Sequence, residues 1–460
     1  MLTEQIDEAA ACRGDAPYLE DAAGDATLTY AGLQNSVRAW ARHLDEAGIP
    51  PGAPAGDVAR VLKVAQPWAL VGDDLESGLP VLGLPGPGPA GDGPGPAAAG
   101  RGGIFLCTSG TTGTPKGILL REDQLMHVAA AVAAHHRLTP ADRGYCCLPL
   151  FHINAEVVGL LGTLAAGACL VVDRKFSRRG FWELIGTRQI TWINAVPAII
   201  TILAMDPPAA TPERVRFIRS ASAPLAPSAL RRFEDSFGIP VVETYGMTEA
   251  ASMITANPLD GPRKAGSAGR PAGTEVRVVS RDEGLLRPCP PGTIGRVQIR
   301  GPGVIAEYAA GGPAGAVDAD GWLETGDLGH LDQDGYLFLA GRSDDVINRG
   351  GEKIYPREIE EFLLTQPGVR SAVVVAASDE VLGQRPVAYV VPADPAVPAT
   401  DPGGPDLAAS DLADALRAAC STALPRPKRP TEFCLVPELP LGATGKVSRR
   451  RLRELATATG

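Results

Sequence analysis

The stretch Thr108-Ser-Gly-Thr-Thr-Gly-Thr-Pro-Lys-Gly117, directly behind the apolar run IFLC, constrains this chain more than any other. Gly110 and Gly113 let the backbone come close to an anion. Main-chain N–H groups, Thr108, Ser109, Thr111, Thr112, Thr114 and Lys116 supply donors and charge suited to phosphate oxygens. A strand running into such a loop predicts a phosphate cradle in a layered α/β fold. It is not the nucleoside-triphosphatase loop, which needs Gly-Lys followed by Ser or Thr, whereas here Lys116 precedes Gly117.

The chain has 460 residues, 45% of them apolar and 21% charged, which predicts several folded domains and little disorder. Its formal net charge of −10 argues against nucleic acid as a partner, because phosphates reward a basic surface. The basic run at Lys446, Arg449, Arg450, Arg451 and Arg453 reads as a solvated helix face. Eight cysteines without a C-x-x-C pattern suggest neither a disulfide framework nor a zinc site, and a reducing cytoplasm is the expected setting. The acidic N-terminus lacks a secretory signal. The apolar stretch from Val157 to Val172 is too short and glycine-rich to span a membrane, and reads as a buried helix entering a buried strand. The Ala, Gly, Pro and Arg bias suggests a bacterial source.

Residues 27–48 have Leu33, Val37, Trp40, Ala41 and Leu44 at helical spacing after a short strand. Residues 83–103 form a Gly/Pro-rich linker. Strand-like runs at 104–107, 169–172, 215–218 and 241–243 alternate with helical stretches, predicting a large mixed sheet with covering helices. Residues 275–339 look like a small β-meander. From Pro356 onward, two helices and two strands predict a compact α+β unit, with a mobile Pro/Gly-rich loop at 392–406.

Four further motifs follow in order: Glu243-Thr-Tyr-Gly-Met-Thr-Glu-Ala250; Trp322-Leu-Glu-Thr-Gly-Asp-Leu328 with Gly341-Arg342; Asn348-Arg-Gly-Gly-Glu-Lys-Ile354; and Leu441-Gly-Ala-Thr-Gly-Lys446. With the phosphate loop they resemble the AMP-forming acyl-CoA synthetases, adenylation domains and luciferases, an adenylate-forming family. NPLDGPRKAGSAGRPAGTEV and INRGGEKIYPREIEEFLL look closest to its oxalate and crotonobetaine CoA ligase branch.

The resemblance implies an ATP- and acid-binding N-terminal domain over 1–341, a hinge at 342–345 and a C-terminal lid over 346–460. ATP-binding residues would be the loop from Thr108 to Lys116 with Ala223, Glu243, Thr244, Tyr245, Asp327 and Arg342. Thr248 would contact the α-phosphate and Glu249 would hold Mg2+, a hard cation suited to carboxylate oxygen. Lys446 would carry adenylation by bridging the attacking carboxylate and the α-phosphate. Asp344 would be the pivot, and Gly350 and Gly351 would leave room for the thiol arm of coenzyme A or of a carrier-protein phosphopantetheine. His152 would gate a pocket for a small organic acid, bounded by Val196, Pro197, Ser220, Ser222, Gly246, Met247 and Ala251, none of them charged.

The implied reaction is ATP-dependent formation of an acyl-AMP followed by transfer to coenzyme A. Transfer to a carrier protein or another nucleophile is an alternative, and a non-catalytic scaffold is a third reading. Two departures bear on this. Oxalate ligases tend to have a histidine just after the second motif, where this chain has Ala251-Ser252, which argues against a dicarboxylate. Between Pro50 and Asp57 a strand-helix-strand segment looks missing, and the edge so exposed would be covered by a partner or in a homodimer.

Overall fold

A computed structural model describes residues 2–24, 26–46, 103–108, 116–150, 152–205, 213–282, 285–309, 312–313, 315–394, 397, 411–441 and 447–458. The apparent deletion at 50–57 and the linker before Gly103 lie outside them, as does nearly all of the loop at 392–406.

The chain divides into two compact units. The first holds residues 1–225, 229–276 and 299–323. At its centre are β1 (Pro17–Asp21), β2 (Thr27–Thr29), β5 (Arg143–Cys146), β6 (Cys169–Val172), β7 (Trp192–Ala195), β8 (Phe217–Ser220), β9 (Val241–Met247), β10 (Ser252–Ala256) and β11 (Arg270–Pro271). They form one nine-stranded sheet in the order β11-β10-β9-β8-β7-β5-β6-β1-β2. The run from β9 to β1 is parallel and both ends turn antiparallel. Parallel strands are covered on both faces, so CLVV and WINA are buried almost throughout instead of alternating, with Asn194 a polar exception.

One face packs Trp192, Phe217, Val242 and Leu170 against the helix Glu122–His135 and a π-helical segment, Asn154–Leu161. The opposite face packs Ile193, Ile218, Val241 and Val171 against the helices Phe181–Thr187, Pro197–Ala204 and Pro227–Phe237. The result is three layers. Trp192 stacks on Phe217 with centroids 6.1 Å apart, and a side chain at Gly144 would collide with that indole. The 157–172 stretch is the buried helix and buried strand its sequence suggests, with a π-helical first part. The run 104–107 is the exception: it lies in β3 (Gly103–Thr108), which pairs with β4 (Lys116–Arg121) as a separate hairpin instead of joining the large sheet.

The second unit holds residues 226–228, 277–298 and 324–460. The meander is real: β12 (Glu275–Asp282), β13 (Leu285–Pro288), β14 (Gly295–Arg300), β15 (Leu323–Leu331) and β16 (Leu337–Arg342) form a five-stranded sheet. Most of it belongs with the C-terminal α+β unit, so the two units do not divide at residue 341. That α+β unit has β17 (Ile347–Arg349), β18 (Glu352–Ile354), β19 (Val369–Asp379), β20 (Gly383–Pro392) and β21 (Glu432–Leu435). The helices Pro356–Leu364, Asp411–Ala423 and Arg449–Ala458 complete it.

Candidate nucleotide and acid site

Ser109, Gly110, Thr111, Thr112, Gly113 and Thr114 lie outside the described residues, but both ends of their loop are well defined. Thr108 and Lys116 are register partners at the loop end of the β3–β4 hairpin. The loop expected to cradle phosphate is thus the connection of an antiparallel pair, and the ladder behind it fixes where the loop begins and ends. Lys116 Nζ lies 5.2 Å from the centroid of the Tyr308 ring. The Tyr308 hydroxyl donates to Glu249 Oε1 at 2.9 Å. The segment carrying Tyr308 is itself sewn down, because Ile305 N donates to Glu249 O at 2.9 Å and Ala309 N to Gly117 O at 2.9 Å. Tyr308 therefore ties the loop's exit strand to the carboxylate expected to hold Mg2+. Sequence reasoning missed it: a lone tyrosine in AEYAAGG carries no periodic or motif signal of its own.

Glu249 sits in the 3-10 turn Thr248–Ala250, directly after β9, and is 7% exposed. Ala251 (φ 48°) and Ser252 (φ 99°) turn the chain back into β10. Gly246 has to be glycine, since a Cβ there would lie 1.5 Å from Ser252 O. Glu243 and Thr244 are buried in β9, where the Thr244 hydroxyl donates to Ser220 O at 3.2 Å, and Tyr245 and Thr248 are half-buried.

Of the expected acid-pocket residues, His152 opens the π-helical segment, its carbonyl accepting from Ala155 N at 2.8 Å and Glu156 N at 3.1 Å. π-Helical turns recur at functional sites because the wider turn re-aims side chains. Val196 and Pro197 start the helix after β7, Ser220 ends β8, and Ser222 and Ala223 follow in an exposed turn with Ser222 at φ 74°. Met247 is half-buried, and Ala251 is fully buried behind Glu249.

In the second unit, Asp327 and Arg342 are register partners on β15 and β16, and Arg342 Nη1 donates to Asp327 Oδ1 at 3.2 Å. The pairing presents the carboxylate beside the guanidinium. Asp344 is exposed in the 3-10 turn Ser343–Asp345 and lies inside the second compact unit. Gly350 (φ 61°) and Gly351 (φ 91°) form the two-residue turn of the β17–β18 hairpin, where both central positions need left-handed backbone. Lys446 lies outside the described residues. Leu441 and Val447, which flank it, form an isolated antiparallel bridge.

The basic run beyond it is only partly the solvated face expected. Arg449 pairs with Glu360 at 2.7 Å and Arg453 pairs with Asp345, whereas Arg450 stays exposed.

Residues 101–309 match the family described as AMP-binding enzyme, and residues 358–446 match the AMP-binding enzyme C-terminal domain. This chain belongs to the AMP-binding enzyme family. A sulfoacetate–CoA ligase of Cupriavidus necator is 46% identical over 352 residues, covering 76% of this chain and 66% of that protein. An oxalate–CoA ligase of Arabidopsis thaliana is 39% identical over 358 residues, again covering 76% and 66%. The chain thus spans a little under two thirds of each of these relatives. The ATP-bound structure of MatB from Rhodopseudomonas palustris superposes with a TM-score of 0.81 at 26% identity, covering 99% of both chains. The mixed α/β architecture and the kinship with oxalate-ligase-like CoA ligases both follow the sequence expectation.

Proposed function

We propose that this chain activates a small organic acid with ATP and transfers the acyl group to coenzyme A. The observation that carries the reading is the tie from Lys116 through Tyr308 to Glu249, which joins a phosphate-loop strand to a buried carboxylate. The kinship with CoA ligases supports the choice of acceptor.

In the first step a carboxylate oxygen of the acid attacks the α-phosphorus; an acyl–phosphate bond forms and the bond to pyrophosphate breaks. In the second the thiol sulfur attacks the acyl carbon, AMP leaves and the thiol proton is lost. The loop from Thr108 to Lys116 grips the β- and γ-phosphates and Thr248 meets the α-phosphate. Glu243, Thr244, Tyr245 and Ala223 lie along the base, and Asp327 and Arg342 serve the ribose. Lys446 places a cation between attacking carboxylate and α-phosphate, orienting both and stabilising the charge that develops. Asp344 is the pivot, and Gly350 and Gly351 admit the thiol arm.

Glu249 fits a Mg2+ ion. One oxygen is held by Tyr308, and no other hydrogen bond engages the carboxylate among the described residues. No three His, Cys, Asp or Glu side chains gather into a metal cage among the described residues. That suits a cation held by one carboxylate and by the nucleotide's own phosphates. The ion would neutralise charge as pyrophosphate leaves.

Acid-dependent exchange of labelled pyrophosphate into ATP tests the reading. Exchange is expected, with Lys446→Ala lowering it by about 100-fold or more and free coenzyme A accepting the acyl group. A chain that binds ATP yet exchanges with no member of a broad acid panel sinks the proposal.

A further inference from the structure

Residues 305–309 form a crosspiece between two parts of the first compact unit that share no strand pairing among the described residues. Lys116 and Gly117 begin β4 in the separate hairpin, whereas Glu249 follows β9 of the nine-stranded sheet. At one end of the crosspiece Ile305 N donates to Glu249 O at 2.9 Å, and at the other Ala309 N donates to Gly117 O at 2.9 Å. Tyr308 spans the same gap with its side chain. Its hydroxyl donates to Glu249 Oε1 at 2.9 Å, and Lys116 Nζ stands 5.2 Å from its ring centroid.

The tyrosine is itself held. Gly312 lies against it so closely that a Cβ there would run into the ring. An aromatic face carries negative charge and draws a cation to it, while a lysine on its long flexible stem otherwise samples many positions. Tyr308 thus holds Lys116 ready for a phosphate. The hydroxyl fixes one oxygen of the carboxylate, so Glu249 keeps one orientation toward a cation. Each contact reinforces the other, because donation to an anion enriches the ring that attracts the ammonium.

We infer that Tyr308 is a positioning residue with two separable parts, its ring setting Lys116 for the triphosphate of ATP and its hydroxyl setting Glu249 for Mg2+. The inference rests on the adenylation reading above and deepens it, since Tyr308 acts through two other side chains. A tyrosine that served packing alone would need its ring and not its hydroxyl. It would also give nucleotide and metal no common dependence on one residue.

Equilibrium binding of ATP with no acid present, followed by calorimetry in EDTA and again across a Mg2+ titration, separates the two parts. The wild-type chain is expected to bind in both conditions and more tightly with Mg2+. Tyr308→Phe keeps the ring, so affinity in EDTA should stay within about twofold of wild type, while the Mg2+ concentration giving half of the tightening rises roughly tenfold. Tyr308→Leu loses both parts. It should show the same metal shift and, in addition, about three- to tenfold weaker binding in EDTA. Should Tyr308→Leu not fold, Gly312→Ala, whose methyl would displace the ring, is expected to weaken binding in EDTA likewise. Both variants weakened alike in both conditions would mark a structural role and overturn the inference. A Mg2+ midpoint unmoved in Tyr308→Phe, a wild-type affinity indifferent to Mg2+, or equal EDTA affinities for Tyr308→Leu and wild type also overturn it, and each leaves adenylation intact. A wild-type chain that binds no ATP in either condition defeats the adenylation reading itself.

Discussion

Arg219 and Arg449 are both held by tertiary contacts, but their partners differ in kind. Arg449 Nη2 meets both oxygens of Glu360, at 2.7 and 2.9 Å, and its Nη1 donates to Val374 O at 2.8 Å. Glu360 in turn accepts from Val374 N at 2.7 Å. The pair thus satisfies both backbone groups of Val374 on β19, an edge strand whose outward N–H and C=O would otherwise be a template for association. Charge, donors and acceptors all close on themselves. Arg219 has two amide oxygens, an idle Nε and no counter-charge among the described residues. A closed set of partners satisfies a buried charge, whereas the open one at Arg219 leaves a buried donor unanswered.

The comparison can be broken by stability measurements. Arg449→Ala strands the Glu360 carboxylate, which burial already holds above its ordinary range. It should cost about 2–4 kcal/mol in urea unfolding; a loss near zero would mean the closed pair is ornamental. Arg219→Met removes an uncompensated charge while freeing two amide oxygens, opposing effects that should leave stability within about 2 kcal/mol of wild type. Arg450, 73% exposed and 3.6 Å from Glu454, sets the baseline: Arg450→Ala should change stability by no more than about 0.5 kcal/mol.

At the proposed active site, Tyr308→Phe keeps the ring beneath Lys116 and removes only the hydroxyl bonded to Glu249. An exchange rate lowered roughly tenfold, with the Mg2+ dependence moved to higher concentration, is expected. An unchanged Mg2+ titration would separate Tyr308 from the metal.

Local order was legible where a short pattern suffices. The residues of β6 and β9, the meander strands EVRVV and GRVQIRG, and the helix PREIEEFLL follow from apolar runs, turn residues and a Pro at a helix start. The family's motifs could be read because they keep particular residue types at close spacing, as in Glu243 to Ala250. What decided the rest was three-dimensional. β3 pairs with β4 and not with the large sheet because partner choice depends on register and covering layers, which an apolar tetrapeptide does not encode. Arg449 and Arg453 turn inward because Glu360 and Asp345, about 90 to 110 positions away in the chain, wait on the face that their helix packs against. Tyr308 and Arg219 gain their meaning from groups about 60 residues distant, brought within hydrogen-bonding reach by the fold. Sequence by itself determined the α/β character and the kinship, since each depends on local spacing. The tertiary structure alone decided which charges are answered and which stand open, because a partner's distance is set by packing and not by chain order.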